Sequence, residues 1–155
     1  MLSKPEYGWT AFQLEGSGVY WLSYLVELPL NWVDKAIRGL ETLDPFCVNG
    51  NLEPERFLCT VSYWNCHIII EDYGRSPLER EDVVHEFSHT NMIEFCRNLY
   101  DDITLHFEDW VPFVRHDPEY DDLTERRITL SKRLERLKEL ISENEEHFGE
   151  NRFFF

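Results

Sequence analysis

The chain of 155 residues is short of positive charge. Fifteen Lys and Arg stand against thirty Asp and Glu, which leaves a net charge of −15 at pH 7. A surface of that sign repels nucleic-acid phosphate and anionic lipid, so neither is an expected partner. Long apolar runs are also lacking. The best stretch, "VYWLSYLVELPL" from Val19 to Leu30, is broken by Glu27 and Pro29 and is well short of the ~20 residues that a membrane span requires. The seven glycines are scattered and form no phosphate-cradling loop. The four cysteines, Cys47, Cys59, Cys66 and Cys96, include no CxxC pair. Even with His67 added, that spacing lacks the short knuckle of a structural zinc site. The opening residues show no basic-then-apolar leader, so the expectation is a reducing cytoplasm with the cysteines as buried thiols.

What the chain has instead is apolar and aromatic weight. Hydrophobic residues make up 43% and aromatic residues 15%, enough for a folded core without disulfides at this length. The acidity is uneven. Residues 1–122 carry 23 acidic and 8 basic side chains, whereas residues 123–155 carry 7 of each. The expected organisation is one domain, with an acidic body over 1–122 and a C-terminal amphipathic helix with an aromatic tail over 123–155.

Local patterns assign the elements. Trp9–Glu15 reads as a strand, Gly16–Gly18 as a turn, and Val19–Leu28 as a second strand ended by Pro29. Asn31 is a possible cap for a helix whose face is Val33, Ile37 and Leu40. Phe46–Val48 reads as a short strand before the turn "NGN". Alternation of Phe57, Cys59, Val61 and Tyr63 marks the next strand, and His67–Asp72 follows as its hairpin partner. Asp82–Ser88 alternates again. "NMIE" at Asn91–Glu94 resembles a capping box, and Met92, Phe95, Cys96, Leu99, Ile103 and Phe107 continue it as a helical stripe. Leu130, Leu134, Leu137 and Ile141 recur at 4-3-4 spacing in a last long helix. Short strands precede the longest helices, so the predicted fold is α+β: a mostly antiparallel sheet with helices on one side.

One motif carries catalytic chemistry. "HEFSH" at His85–His89 matches H-E-x-x-H, in which two histidines one helical turn apart ligate zinc and the glutamate activates the bound water. On that reading His85, His89 and a third ligand, Glu108, hold zinc, and Glu86 is the general base. The interval from His89 to Glu108 resembles that of one group of zinc aminopeptidases. The motif requires a helix. "SPLE" at Ser76–Glu79 could start one, but Asp82–Ser88 also alternates as a strand. In a strand the two histidines lie about 13 Å apart and Glu86 faces the other way. Pairing of Cys96 with His67 or His85 is a further nucleophilic option without local support.

The stronger pattern is acidic. Asp101, Asp102, Glu108, Asp109, Asp117, Glu119, Asp121 and Asp122 are interleaved with Trp110 and Tyr120. Carboxylates around aromatic anchors suit a basic protein surface. The last helix is polar in its charge order: residues 123–138 hold six basic and two acidic side chains, and residues 139–150 hold five acidic and no Lys or Arg. That order opposes the helix dipole and calls for packing on the acidic body or on a second copy of the helix in a homodimer. In overall character the chain resembles the immunity proteins of bacterial contact-dependent and polymorphic toxin systems. That resemblance implies a non-enzymatic, cofactor-free inhibitor that binds a cognate toxin domain, often a basic nuclease. The competing expectation is the small zinc hydrolase.

Overall fold

The alternating middle of the chain forms the sheet. In the computed structural model, residues 1–71 and 83–151 are described, with side chains described as far as 146. Four strands, β3 (Phe46–Asn51), β4 (Arg56–Val61), β5 (Cys66–Glu71) and β6 (Val83–Ser88), make an antiparallel meander in that spatial order. The register places Cys59 opposite Ile68 and Ile69 opposite His85. One face therefore carries Val48, Phe57, Cys59, Val61, Cys66, Ile68 and Ile70, all buried. A separate hairpin of β1 (Trp9–Phe12) and β2 (Tyr20–Ser23) packs on that face. Phe12 sits between Trp32 and Phe57, with ring centroids 5.8 and 4.8 Å away.

Three corrections to the local reading follow, one with a local cause and two with non-local ones. The second strand stops at Ser23, and helix α1 (Leu28–Thr42) begins where the strand was expected to end. Pro29 lies in its first turn, where no backbone N–H is needed, and Glu27 is the cap, accepting from the N–H groups of Leu30 and Asn31. "NGN" is not a turn but the end of β3. A Cβ at Gly50 would come within 2.9 Å of Leu22, so glycine there lets the hairpin approach the sheet. The last helix packs on the acidic body, one of its two expected places, but its apolar stripe meets two other helices there rather than the sheet.

Helix α2 (Met92–Leu105) starts at the expected capping box: the Asn91 side chain accepts from the Glu94 N–H at 2.9 Å, and Glu94 accepts from the Asn91 N–H. Met92, Phe95, Cys96, Leu99 and Ile103 are buried. A short helix α3 (Phe107–Trp110) follows, and α4 (Thr124–Asn151) then runs back across α1 and α2. Leu130, Leu134, Leu137, Leu140 and Ile141 are buried in that contact. Each contributes about 1.5–3 kcal/mol of apolar burial. The stripe proposed for self-association is thus covered by the chain's own helices.

The basic half of α4 is matched to the body. Arg126 pairs with Glu27, Arg127 with Glu108, Arg133 with Asp34 and Arg136 with Glu41. Among the described residues no helix is long and apolar enough to cross a membrane. The layers are a sheet, helices α1 and α2 with the hairpin on one face of it, and α4 outside them. The fold is α+β, with the helices on one side of the main sheet.

Candidate functional site

The zinc arrangement depends on a helix through His85–His89, and the chain makes a strand there. Glu86 is opposite Ile68 on the core side of β6, while His85 lies opposite Ile69 on the outer side. Glu86 ties the hairpin to β6. Its carboxylate accepts from the Tyr20 hydroxyl at 2.5 Å and from the Gly18 N–H at 3.2 Å. Burial first, and the Glu86 carboxylate second, push the Tyr20 phenol above its ordinary range. His89 lies beyond the strand end, just before the α2 cap. Glu108 sits on α3 and pairs with Arg127 at 2.9 Å. His85, Glu86, His89 and Glu108 therefore do not adopt the metallopeptidase geometry. The other helix start, Ser76–Glu79, lies outside the described residues. Among the described residues no group of three or more His, Cys, Asp or Glu side chains could hold a metal ion.

Strand pairing gives His85 a different neighbour. His67 on β5 reaches across, with its Nε2 3.0 Å from His85 Nδ1. The Phe87 ring lies flat on His67, centroids 4.3 Å apart and planes within 5°. Burial, and then the charge of His85, hold His67 below the usual histidine range. Nothing in the local sequence announces this pair, because eighteen residues separate its members and only the register brings them together.

Three of the four thiols are shut away from chemistry, while Cys47 is half-buried. Cys59, Cys66 and Cys96 are buried on the core side of the sheet. A hydrogen bond with Cys66, and then burial, push the Cys59 thiol up, and burial does the same for Cys96. The sheet also separates Cys96 from His67 and His85, which lie on its outer face.

The predicted acidic residues gather at one end of the molecule, around the end of α2, α3 and the segment leading into α4. Asp101, Asp109, Asp117, Glu119, Asp121 and Asp122 are exposed, and among the described residues none is in a salt bridge, although the charge of Arg127 bears on Asp122. Asp122 caps α4 by accepting from the Thr124 N–H and hydroxyl, which holds its carboxyl below the usual range. Tyr120 is 79% exposed beside them.

Other members of the predicted set are already engaged. Asp102 accepts from the Leu2 N–H at 2.8 Å, and Glu108 holds Arg127. Trp110 is wrong as an anchor. It is fully buried, with Phe113 packed edge-on at 5.0 Å. Two exposed apolar groups of this end were missed. Leu105 is 75% exposed on the same helix flank as Asp101. Tyr7, 98% exposed, stands at the tip of a tight turn in which Tyr7 and Gly8 have φ of 53° and 80°. It borders a cavity of about 280 Å³ also lined by Glu108, Asp109 and Pro112. Gly8 was the only available signal, and a weak one, since turns of this kind favour Asn or Asp rather than Tyr before the glycine.

Comparison with family models, with curated proteins and with solved structures finds no match for this chain.

Proposed function

We propose that the protein is a non-enzymatic binding protein that neutralises a basic partner, a toxin domain of nuclease type, through its acidic end. One observation carries this reading. The α4 arginines are matched to Glu27, Asp34, Glu41 and Glu108, whereas Asp101, Asp109, Asp117, Glu119, Asp121 and Asp122 are exposed and, among the described residues, in no salt bridge. Unmatched carboxylates close together raise the local concentration of a basic partner and speed its docking. Leu105, Tyr120 and Tyr7 supply apolar area within the acidic field, which is where binding energy concentrates. On a nuclease the carboxylates would occupy the positions that nucleic-acid phosphates take.

The test starts with co-purification from the native host. The captured protein is then titrated with wild type and with a triple charge reversal, Asp101→Lys, Asp117→Lys and Asp121→Lys. Asp102 and Glu108 are left alone because they hold the fold. The expected result is a basic captured protein, an association rate lowered at least tenfold by the reversal, and protection of cells that co-express the partner. A captured protein that is acidic, or whose association is insensitive to both the reversal and salt, refutes the reading.

A further inference from the structure

We propose that His67 and His85 form a two-histidine site for a borderline transition ion on the outer face of the sheet, with Cu²⁺ preferred over Ni²⁺ and Zn²⁺. The site is distinct from the zinc set expected from the sequence. It uses neither His89 nor Glu108, and it requires the strand that rules the other set out.

Geometry makes the first argument. His67 Nε2 and His85 Nδ1 are 3.0 Å apart, and the ring centroids are 5.2 Å apart with planes within 21°. The centroid distance is close to the N···N distance plus one ring radius at each end, which is the greatest value it can take. The two nitrogens therefore point at each other along one line and share a proton in an N–H···N bond. An ion bound there replaces that shared proton. The donor ring carries its proton on its other nitrogen, and both facing nitrogens become ligands. Opposed nitrogens correspond to trans positions of a square-planar site, the arrangement that marks Cu²⁺ or Ni²⁺ among N,O-bound ions. Metal–imidazole bonds of about 2.0 Å need an N···N span near 4 Å. The pair must open by about 1 Å, which a small rotation of the exposed His85 side chain supplies.

Pre-organisation makes the second. The two histidines sit on adjacent hydrogen-bonded strands, so their Cα positions are set by the β5–β6 ladder. Phe87, itself 67% exposed, lies flat on His67 and limits rotation of its ring. Among the described residues neither facing nitrogen has a second hydrogen-bond partner. Imidazole selects borderline ions over Mg²⁺ and Ca²⁺, which take oxygen ligands, and the general order of affinity puts Cu²⁺ first. Among the described residues no third ligand stands beside the pair, which leaves the remaining positions to water.

The experiment titrates untagged, metal-free, full-length protein with CuCl₂, NiCl₂ and ZnCl₂ separately, followed by calorimetry and, for copper, by electron paramagnetic resonance. The expected result is one strongest copper equivalent with two nitrogen ligands, and weaker nickel and zinc. His67→Ala and His85→Ala should each weaken copper at least tenfold, while His89→Ala and Glu108→Gln leave it unchanged. Phe87→Ala, which keeps both ligands and frees the ring, should give a smaller loss. Metal-free melting curves of each variant establish folding independently of metal. Wild-type copper affinity in His67→Ala or His85→Ala overturns the proposal, as does a loss of affinity in His89→Ala. An ion held by the chain's amino terminus would give the first of these refuting outcomes.

Discussion

Gly39 sits inside α1, where alanine is the better helix former by about 0.5–1 kcal/mol. On propensity alone, Gly39→Ala should stabilise the protein. The packing opposes this. A Cβ at position 39 would lie 2.3 Å from Phe46 Cδ1 and 2.7 Å from Cε1, well inside contact distance. Phe46 is not free to give way without loss, since its ring packs edge-on against Phe95 with centroids 5.9 Å apart. Overpacking of this kind costs about 1–3 kcal/mol, and a weakened aromatic contact adds about 0.5–1.5 kcal/mol. Phe46 is only half-buried, so the ring can swing partly outward and the lower halves of those ranges apply. After the propensity gain is subtracted, the expected net loss is about 1–2 kcal/mol. At this chain length that lowers the melting temperature by about 3–6 °C. Urea unfolding followed by tryptophan fluorescence measures it. The decisive comparison is the Phe46→Ala background, where the obstructing ring is gone and Gly39→Ala should instead stabilise by about 0.5–1 kcal/mol. A Gly39→Ala variant more stable than wild type in the Phe46 background would refute the packing argument.

Arg126 joins α4 to the start of α1 and to α3: it pairs with Glu27, donates to the Val111 carbonyl at 2.5 Å and reaches the Phe113 carbonyl at 3.5 Å. Arg126→Met keeps much of the apolar stem and removes the donors, so urea unfolding should show a loss of about 1.5–3 kcal/mol, and a loss below about 0.5 kcal/mol would mean that water replaces those bonds at no cost. Tyr20 gives a pH signature. Its phenol is raised in the folded state, so as pH climbs past the ordinary tyrosine value of about 10 the unfolded chain loses this proton first. The folded state then holds more protons than the unfolded one, and stability falls with rising pH. Tyr20→Phe should flatten that fall between about pH 9 and pH 11, and equal slopes for the two proteins would contradict the assignment.

The sequence was most informative where structure is made locally. Alternation over Phe57, Cys59 and Val61 needs only the period of a strand, and the Asn91–Glu94 box closes within one turn of helix. It was least informative where a distant group decides. Gly50 looks like a turn residue until Leu22 is placed above it. Pro29 is a different case: its cap, Glu27, is only two residues away, and proline suits the first turn of a helix as well as the end of a strand. Trp110 was misread for a related reason. It follows Asp109 in sequence, and an acid beside an aromatic suggests an exposed anchor. Consecutive helical residues point about 100° apart, so Asp109 faces water while Trp110 enters the core. His85 shows the same limit in the site itself. A linear motif pairs it with His89, four residues on, whereas the β5–β6 register sets it opposite Ile69 and diagonally beside His67, whose ring reaches it.

The charge pattern also changes meaning once its pairs are known. A net charge of −15 spread evenly would only repel itself and keep the protein soluble. Here the cations of α4 are laid against α1 and α3, where they offset Asp34, Glu41 and Glu108. The acids between Asp101 and Asp122 receive few such partners, so the excess collects at one end. Salt should therefore act unequally. Exposed carboxylates attract a partner across a range set by the Debye length, about 8 Å at physiological ionic strength, and that attraction fades as salt rises. The α4 contact rests on buried Leu130, Leu134, Leu137, Leu140 and Ile141, which salt does not screen. On the function proposed above, moderate salt should slow capture of the basic partner while leaving the melting temperature nearly unchanged.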